Sequence, residues 1–185
     1  MTMDDPAPWI HPTEPLVGER MTLRPLRFDD RDALHAAASD PRIWEQHPAN
    51  DRHERPVFDR YFDVLLTAGG TLVAEEVSNG RVIGSSRFYL PPGQPGDVAI
   101  GFTFLTRDRW GGSWNREMKR LMLQYAIGRV VRIWFHVAPA NVRSQVAVTR
   151  LGAVLDHKVD LDLGGGRSTM LCYRLNLEND GTKRG

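Results

Sequence analysis

The most constraining stretch of the 185-residue chain runs from Asp97 to Ala138, because its pattern changes three times. "DVAIGFTFL" alternates, which predicts a strand with Val98, Ile100, Phe102 and Phe104 on one face. "TRDRWGGSWN" then breaks the alternation with two adjacent glycines. "REMKRLMLQYA" places Met118, Leu121, Met122, Tyr125 and Ala126 on one side of a helix. "VVRIWFHV" returns to a strand. Strand, turn, helix and strand in this order predict two parallel strands joined by a right-handed helical crossover. Such a unit requires helices layered on a sheet.

The remaining segments fit around that unit. Residues 1–18 are proline-rich and aperiodic and read as an extended arm; 178–185 read as a polar tail, leaving a domain over 19–177. "RMTLRPL" is a first strand, and Asp29 or Asp30 caps a helix carrying Leu34, Ala37 and Ala38. "PRIWEQHP" is a short helical piece. A longer helix over about 54–68 has Pro56 in its first turn and Val57, Tyr61, Val64 and Leu65 at helical spacing. "TLVAEEV" and "RVIGSSRFYL" flank Asn79-Gly80, a pair suited to the positive φ angles of a tight hairpin turn. "NVRSQVAVTRLG" is a helix with Asn141 as cap and Gly152 as stop. "AVLDHKVDLDL" and "RSTMLCYRLNL" form a closing hairpin across "GGG". The expected architecture is an α/β (α+β) sandwich.

Composition removes several classes of function. A net charge of +1 provides no field for nucleic acid or an anionic membrane. No stretch reaches 18 apolar residues and the N-terminus lacks an apolar signal core, so a cytoplasmic protein is expected. The one cysteine, Cys172, lies in an alternating run and reads as a buried structural thiol. The six histidines lack zinc spacing, so no metal is expected. G-x-G-x-x-G, the Walker lysine motif and G-x-S-x-G are all missing.

Two places suggest chemistry. Gly111 and Gly112 stand between Trp110 and Trp114 at the start of a helix, with Arg107 and Arg109 beside them. Helix N-termini offer unpaired amides to phosphate, although a plain turn also needs glycine. Asn141 and Ser144, three apart, lie on one side of a helical first turn. A crossover unit brings both places to one cleft.

In order, "GERMTLRPLRFDDRDAL", "RVIGSSRFYL", "VAIGFTFL", "WGGSWNREMKRLMLQYAI" and "NVRSQVAVTRLGAVLDHKV" resemble the GNAT-superfamily N-acetyltransferases, in particular the RimJ/RimL-like type that acts on ribosomal-protein N-termini. The resemblance spans roughly residues 15–177. It implies a GNAT fold: a mixed, mostly antiparallel twisted sheet of about seven strands, splayed between the fourth and fifth. It also implies acetyl-CoA as donor, an amine acceptor (protein N-terminus or small molecule), and a monomer or homodimer.

By that resemblance, the backbone at Phe104, Leu105 and Thr106 bonds the pantetheine arm. Arg109, Trp110, Gly111, Gly112, Ser113, Trp114 and Asn115 wrap the pyrophosphate. Asn141 holds the pantetheine and Ser144 faces the sulfur. Asp97 is a candidate base, and the acceptor-cleft candidates are Trp44, Glu45, His47, Arg87, Trp134 and His136. The superfamily loop reads Arg/Gln-x-x-Gly-x-Gly/Ala; here Trp110, Ser113 and Asn115 hold the fixed places. A non-catalytic module that binds CoA or a metabolite stays open as the alternative.

Overall fold

A computed structural model describes residues 10–163 and 166–177. The start of the expected arm (1–9), two glycines of the closing hairpin (164–165) and the expected tail (178–185) lie outside the described residues. The strands are β1 (Leu16–Val17), β2 (Met21–Pro25), β3 (Thr71–Glu76), β4 (Val82–Tyr89), β5 (Val98–Leu105), β6 (Arg132–Val137), β7 (Val154–Asp162) and β8 (Arg167–Asn176). They form one eight-stranded sheet in the order β1-β2-β3-β4-β5-β6-β8-β7. The helices are α1 (Arg31–Ala38), α2 (Arg55–Ala68), α3 (Trp114–Ala126) and α4 (Val142–Thr149). β5 and β6 are parallel, joined by α3; the other neighbours are antiparallel. The strand beyond the expected seven comes from the supposed arm, where Leu16 and Val17 pair with Leu23 and Thr22.

Each face of the sheet has its own core. On one, Leu23, Leu72, Phe88, Ile100, Ile133 and Phe135 pack under Met118, Leu121, Met122 and Ala126 of α3. On the other, Val73 and Phe104 meet Leu34 of α1 and Phe58, Tyr61, Phe62 and Leu65 of α2. The buried stripe of α2 is thus rotated from the expected one. Val64 is 48% exposed, because the two phenylalanines offer more apolar area to bury than the valines.

Other expectations change for local reasons. Asp30 precedes α1 but does not cap it; its carboxylate accepts from both terminal nitrogens of Arg24, at 2.8 and 2.6 Å, and from the Arg27 N–H at 2.7 Å. Of Asn79-Gly80 only Gly80 has positive φ, at 71°. Asn79 Oδ1 instead accepts the Arg81 N–H and its Nδ2 donates to Glu76, giving a longer turn.

The most consequential correction lies in β5. Ser85 pairs with Phe104 and Arg87 with Gly101, so two steps on β4 match three on β5. The extra residue is a bulge, marked by Phe102 at φ 52°. Alternation therefore reverses: Val98 and Ile100 face α3, whereas Phe104 faces α1 and α2.

Candidate functional site

β5 and β6 pair only at Val98↔Ile133 and Ala99↔Trp134. Beyond Ala99 they part, and the backbone edge of β5 borders a gap. The Thr106 N–H donates to Ile83 O at 2.8 Å, toward β4. Successive N–H groups on a strand point to opposite edges, so the Leu105 N–H faces the gap. Leu105 O accepts the Trp110 indole N–H at 2.9 Å. Of the three expected backbone ligands, Leu105 thus retains the free donor and Thr106 does not.

The start of α3 lies just past the end of β5. Gly111 and Gly112 have φ 72° and 54°, and a Cβ at either would meet nothing within 4 Å. Glycine is required here by backbone conformation rather than by crowding, and the space above is open. Ser113 does not cap α3, and its Oγ is buried without a hydrogen-bond partner among the described residues. An orphaned hydroxyl beside free helix amides suits the oxygens of a phosphate. Trp114 packs on the core, and Asn115 is half-buried in the first turn.

The arginines beside this loop are already engaged. Arg109 Nε donates to Glu76 Oε1 at 2.6 Å, and its guanidinium lies 5.0 Å from the Trp114 ring centre. The bonds from Arg109 and then Arg81 hold the Glu76 carboxyl at about 2. Arg107 pairs with Asp40 at 3.1 Å. Arg143, which the sequence reading missed, stacks 3.9 Å from the Trp110 ring centre and donates to Ile43 O at 3.2 Å. It links α4, the glycine loop and the α1–α2 connection.

α4 begins on the other side of the gap. Asn141 Oδ1 accepts the Ser144 N–H at 3.1 Å, so the expected cap is present. That bond uses the carbonyl end of Asn141 and leaves its amide N–H groups as donors. Ser144 is half-buried in this first turn.

The remaining candidates separate. Trp44 is a core residue: its indole donates to Ala38 O at 2.8 Å and packs on Phe104 with ring centres 5.2 Å apart. Glu45 is exposed. His47 is pushed down to about 3, by burial first and then by Arg52, which makes it a poor base. Asp97 accepts the Trp134 indole N–H at 2.8 Å and pairs with Arg132 at 3.0 Å. Both Asp97 and Trp134 sit where β5 and β6 are still paired, at the closed end of the gap.

His136 has the most suggestive surroundings. Its Nδ1 lies 2.6 Å from Tyr89 Oη, although β5 runs between their strands. The Tyr89 ring crosses β5 over Gly101, where a Cβ would come within 3.0 Å of Tyr89 Cε1. Burial raises the Tyr89 phenol, making it the donor, and burial and then His157 lower His136 to about 4. Tyr89 was not foreseen; a glycine inside a strand was its available signal. Lys119 was missed too. It is 5% exposed, donates to Ser86 Oγ at 3.1 Å and Thr103 Oγ1 at 2.6 Å, and is lowered by burial to about 7. Lys119, Met122 and Ala126 share helical spacing, but a charged residue is ordinarily placed outside.

Among the described residues, no group of three or more His, Cys, Asp or Glu side chains can hold a metal ion. None of the described helices is long and apolar enough to cross a membrane.

Residues 20–154 match the sequence family described as "Acetyltransferase (GNAT) domain". The fold is similar to that of a GCN5-related N-acetyltransferase from Brucella melitensis, with TM-score 0.72 at 18% identity over 89% of this chain and 79% of that one. It is similar to an acetyltransferase from Agrobacterium tumefaciens str. C58, with TM-score 0.66 at 22% identity over 88% and 94%. It is also similar to Mycobacterium smegmatis RimJ in complex with CoA-disulfide, with TM-score 0.62 at 19% identity over 84% and 81%. These identities speak for the fold. No curated protein matches the chain in sequence.

Proposed function

The chain belongs to the acetyltransferase (GNAT) domain family, and from that premise we propose that it moves the acetyl group of acetyl-CoA to a primary amine. The observation that carries the proposal is the parting of β5 and β6 directly beside the open start of α3. An extended chain laid in the gap can bond the β5 edge as an added strand would, which supports an arm such as pantetheine. At its far end, the Gly111–Ser113 amides and the orphaned Ser113 hydroxyl suit a pyrophosphate. That RimJ was solved with CoA-disulfide adds to this reading and to the RimJ/RimL-like subtype.

When bound, acetyl-CoA supplies a thioester open to attack by a neutral amine. The chain's contribution is then to hold, orient and move protons. The Leu105 N–H offers a fixed donor on the gap edge, and the Asn141 amide a second across it. Ser144 is placed to donate a hydrogen bond where the sulfur gains charge. Its hydroxyl is too weak an acid to surrender the proton to a thiol of pKa about 8.5. Tyr89 and the neutral His136 offer a path that passes on the proton leaving the amine without storing it, since His136, lowered to about 4, is as poor a resting base as His47. An α-amine, near 7.7–8.0, needs little more help. With both Asp97 oxygens engaged, we assign it to holding Trp134 and Arg132 rather than to the base. The proposal places the activity within 19–177, in a cytoplasmic monomer or homodimer that needs no metal, membrane or nucleic acid.

Thiol release from acetyl-CoA, followed with a panel of primary amines, tests the proposal. Amine-dependent release supports it. Tight binding of acetyl-CoA without release for any amine points instead to a binding module, the reading that the departures at Ser113 and Asn115 favour.

A further inference from the structure

A pocket of about 370 Å³ opens on the sheet face that carries Tyr89 and Phe102, and Arg87 and Asp162 stand in its wall. Arg87 Nε donates to Gly69 O at 2.8 Å and one terminal nitrogen donates to Ala68 O at 3.3 Å. These bonds close the end of α2 and fix the plane of the guanidinium. Its centre lies 5.2 Å from the Phe102 ring and 6.0 Å from the Tyr89 ring, so two aromatic rings flank it. Burial pushes its proton affinity down.

Ion pairing divides the arginines, and the buried Arg52 also lacks a carboxylate among the described residues, facing His47 Nε2 at 3.2 Å. Arg24, Arg31, Arg55, Arg81, Arg107, Arg109, Arg132 and Arg174 each pair with a carboxylate. Arg87 pairs with none among the described residues, Asp162 on the same wall included. Closing a helix end does not require a desolvated cation in a pocket, since water serves carbonyls as well. What sets Arg87 apart is that its half-buried guanidinium, without a counter-ion among the described residues, lines a pocket.

We propose that Arg87 receives a carboxylate carried by the amine acceptor. A volume of this size fits an amino-acid-sized group. Phe102 belongs both to this wall and to the β5 bulge. Tyr89 also stands in this wall and bonds His136, so a carboxylate held at Arg87 keeps its amine near the pair that the acetyl-transfer reading uses. The acceptor is then a free α-amino acid, or a peptide whose N-terminal region bears an acidic side chain. This inference rests on the acetyl-transfer reading.

The test compares matched acceptors with the full chain: amino acids against their amides, and amidated peptides with Asp against Asn in second place. The expected result is a kcat/KM at least about tenfold higher for the carboxylate member, the scale of a lost charge-assisted hydrogen bond. The first pairing reports a free amino acid and the second a peptide. Arg87→Met should abolish the preference through KM, with acetyl-CoA affinity unchanged. Arg87→Lys keeps a cation and a donor for the α2 carbonyls, and loses most of the preference because a lysine cannot present the fork. It serves if Arg87→Met does not fold. Equal rates for both members of every pair overturn the inference while acetyl transfer stands. Acetyl-CoA binding with no amine accepted overturns both.

Discussion

Replacing Lys119 by methionine is expected to stabilise the protein, and by an amount that depends on pH. The lysine lies in the core between α3, β4 and β5, with Ser86 and Thr103 hydroxyls as partners, and burial is what lowers it from 10.5 to about 7. At about 1.4 kcal/mol per pH unit, that displacement sets a ceiling of about 5 kcal/mol on the cost of burying the charge. The sign follows from proton counting. Between about 7 and 10.5 the unfolded chain keeps a proton that the folded chain has released, so stability rises with pH across that window. Below 7 both states are protonated and the full cost is present. Methionine matches the length of the lysine stem and favours helix. Ser86 Oγ and Thr103 Oγ1 remain 2.7 Å apart and satisfy each other. Urea unfolding of both proteins from pH 6 to pH 9 is the assay. Lys119→Met should be more stable by about 2–4 kcal/mol at pH 6, and the difference should narrow by about 2–3 kcal/mol by pH 9. Curves that stay parallel across this range would refute the account of Lys119 as an uncompensated buried cation.

Other expectations concern the gap and its flanks. Gly111→Val forces a β-branched residue to φ 72°, at about 1–2 kcal/mol or more; acetyl-CoA affinity should fall by more than thermal stability explains, and unchanged affinity assigns the glycines to the turn alone. Ser144→Ala should lower turnover about ten- to a hundredfold with acetyl-CoA affinity nearly intact, and equal turnover removes Ser144 from the chemistry. Gly101→Ala puts a Cβ 3.0 Å from Tyr89 Cε1, so turnover should drop as in Tyr89→Phe; normal rates in both variants dismiss the relay. His47 and His136 are lowered to about 3 and about 4 from 6.5, so the unfolded chain takes up protons first on acidification. Stability should fall from pH 6.5 to 4.5 by roughly 2 kcal/mol for each, and a flat unfolding profile there contradicts the burial of both rings.

Periodicity alone made much of the fold legible. The strand–turn–helix–strand order of 97–138 required a crossover, and the Asn141 cap followed from a local preference that tertiary packing did not disturb. The glycines at 111 and 112 were correctly placed at the start of a helix, and their positive φ angles add a conformational reason for glycine there. These features depend on residues within a turn or two of one another, which is the range over which side-chain spacing and backbone preference act.

Partnership was beyond that range. Nothing in "VAIGFTFL" announces the extra residue that turns Phe104 away from Val98 and Ile100; the bulge exists only in the register of β5 against β4. Tyr89 reaches His136 because the sheet order sets Gly101 between them, 47 residues apart in sequence from one end of the bond to the other. Glu76 rather than an open cleft claims Arg109, and Arg87 lines a pocket without pairing with a carboxylate among the described residues, for the same reason. The amino-acid sequence by itself determined which segments are strands and helices and where a glycine turn opens a helix. Only the tertiary structure decided which charges are paired and which are buried, because that depends on long-range strand register rather than on local spacing.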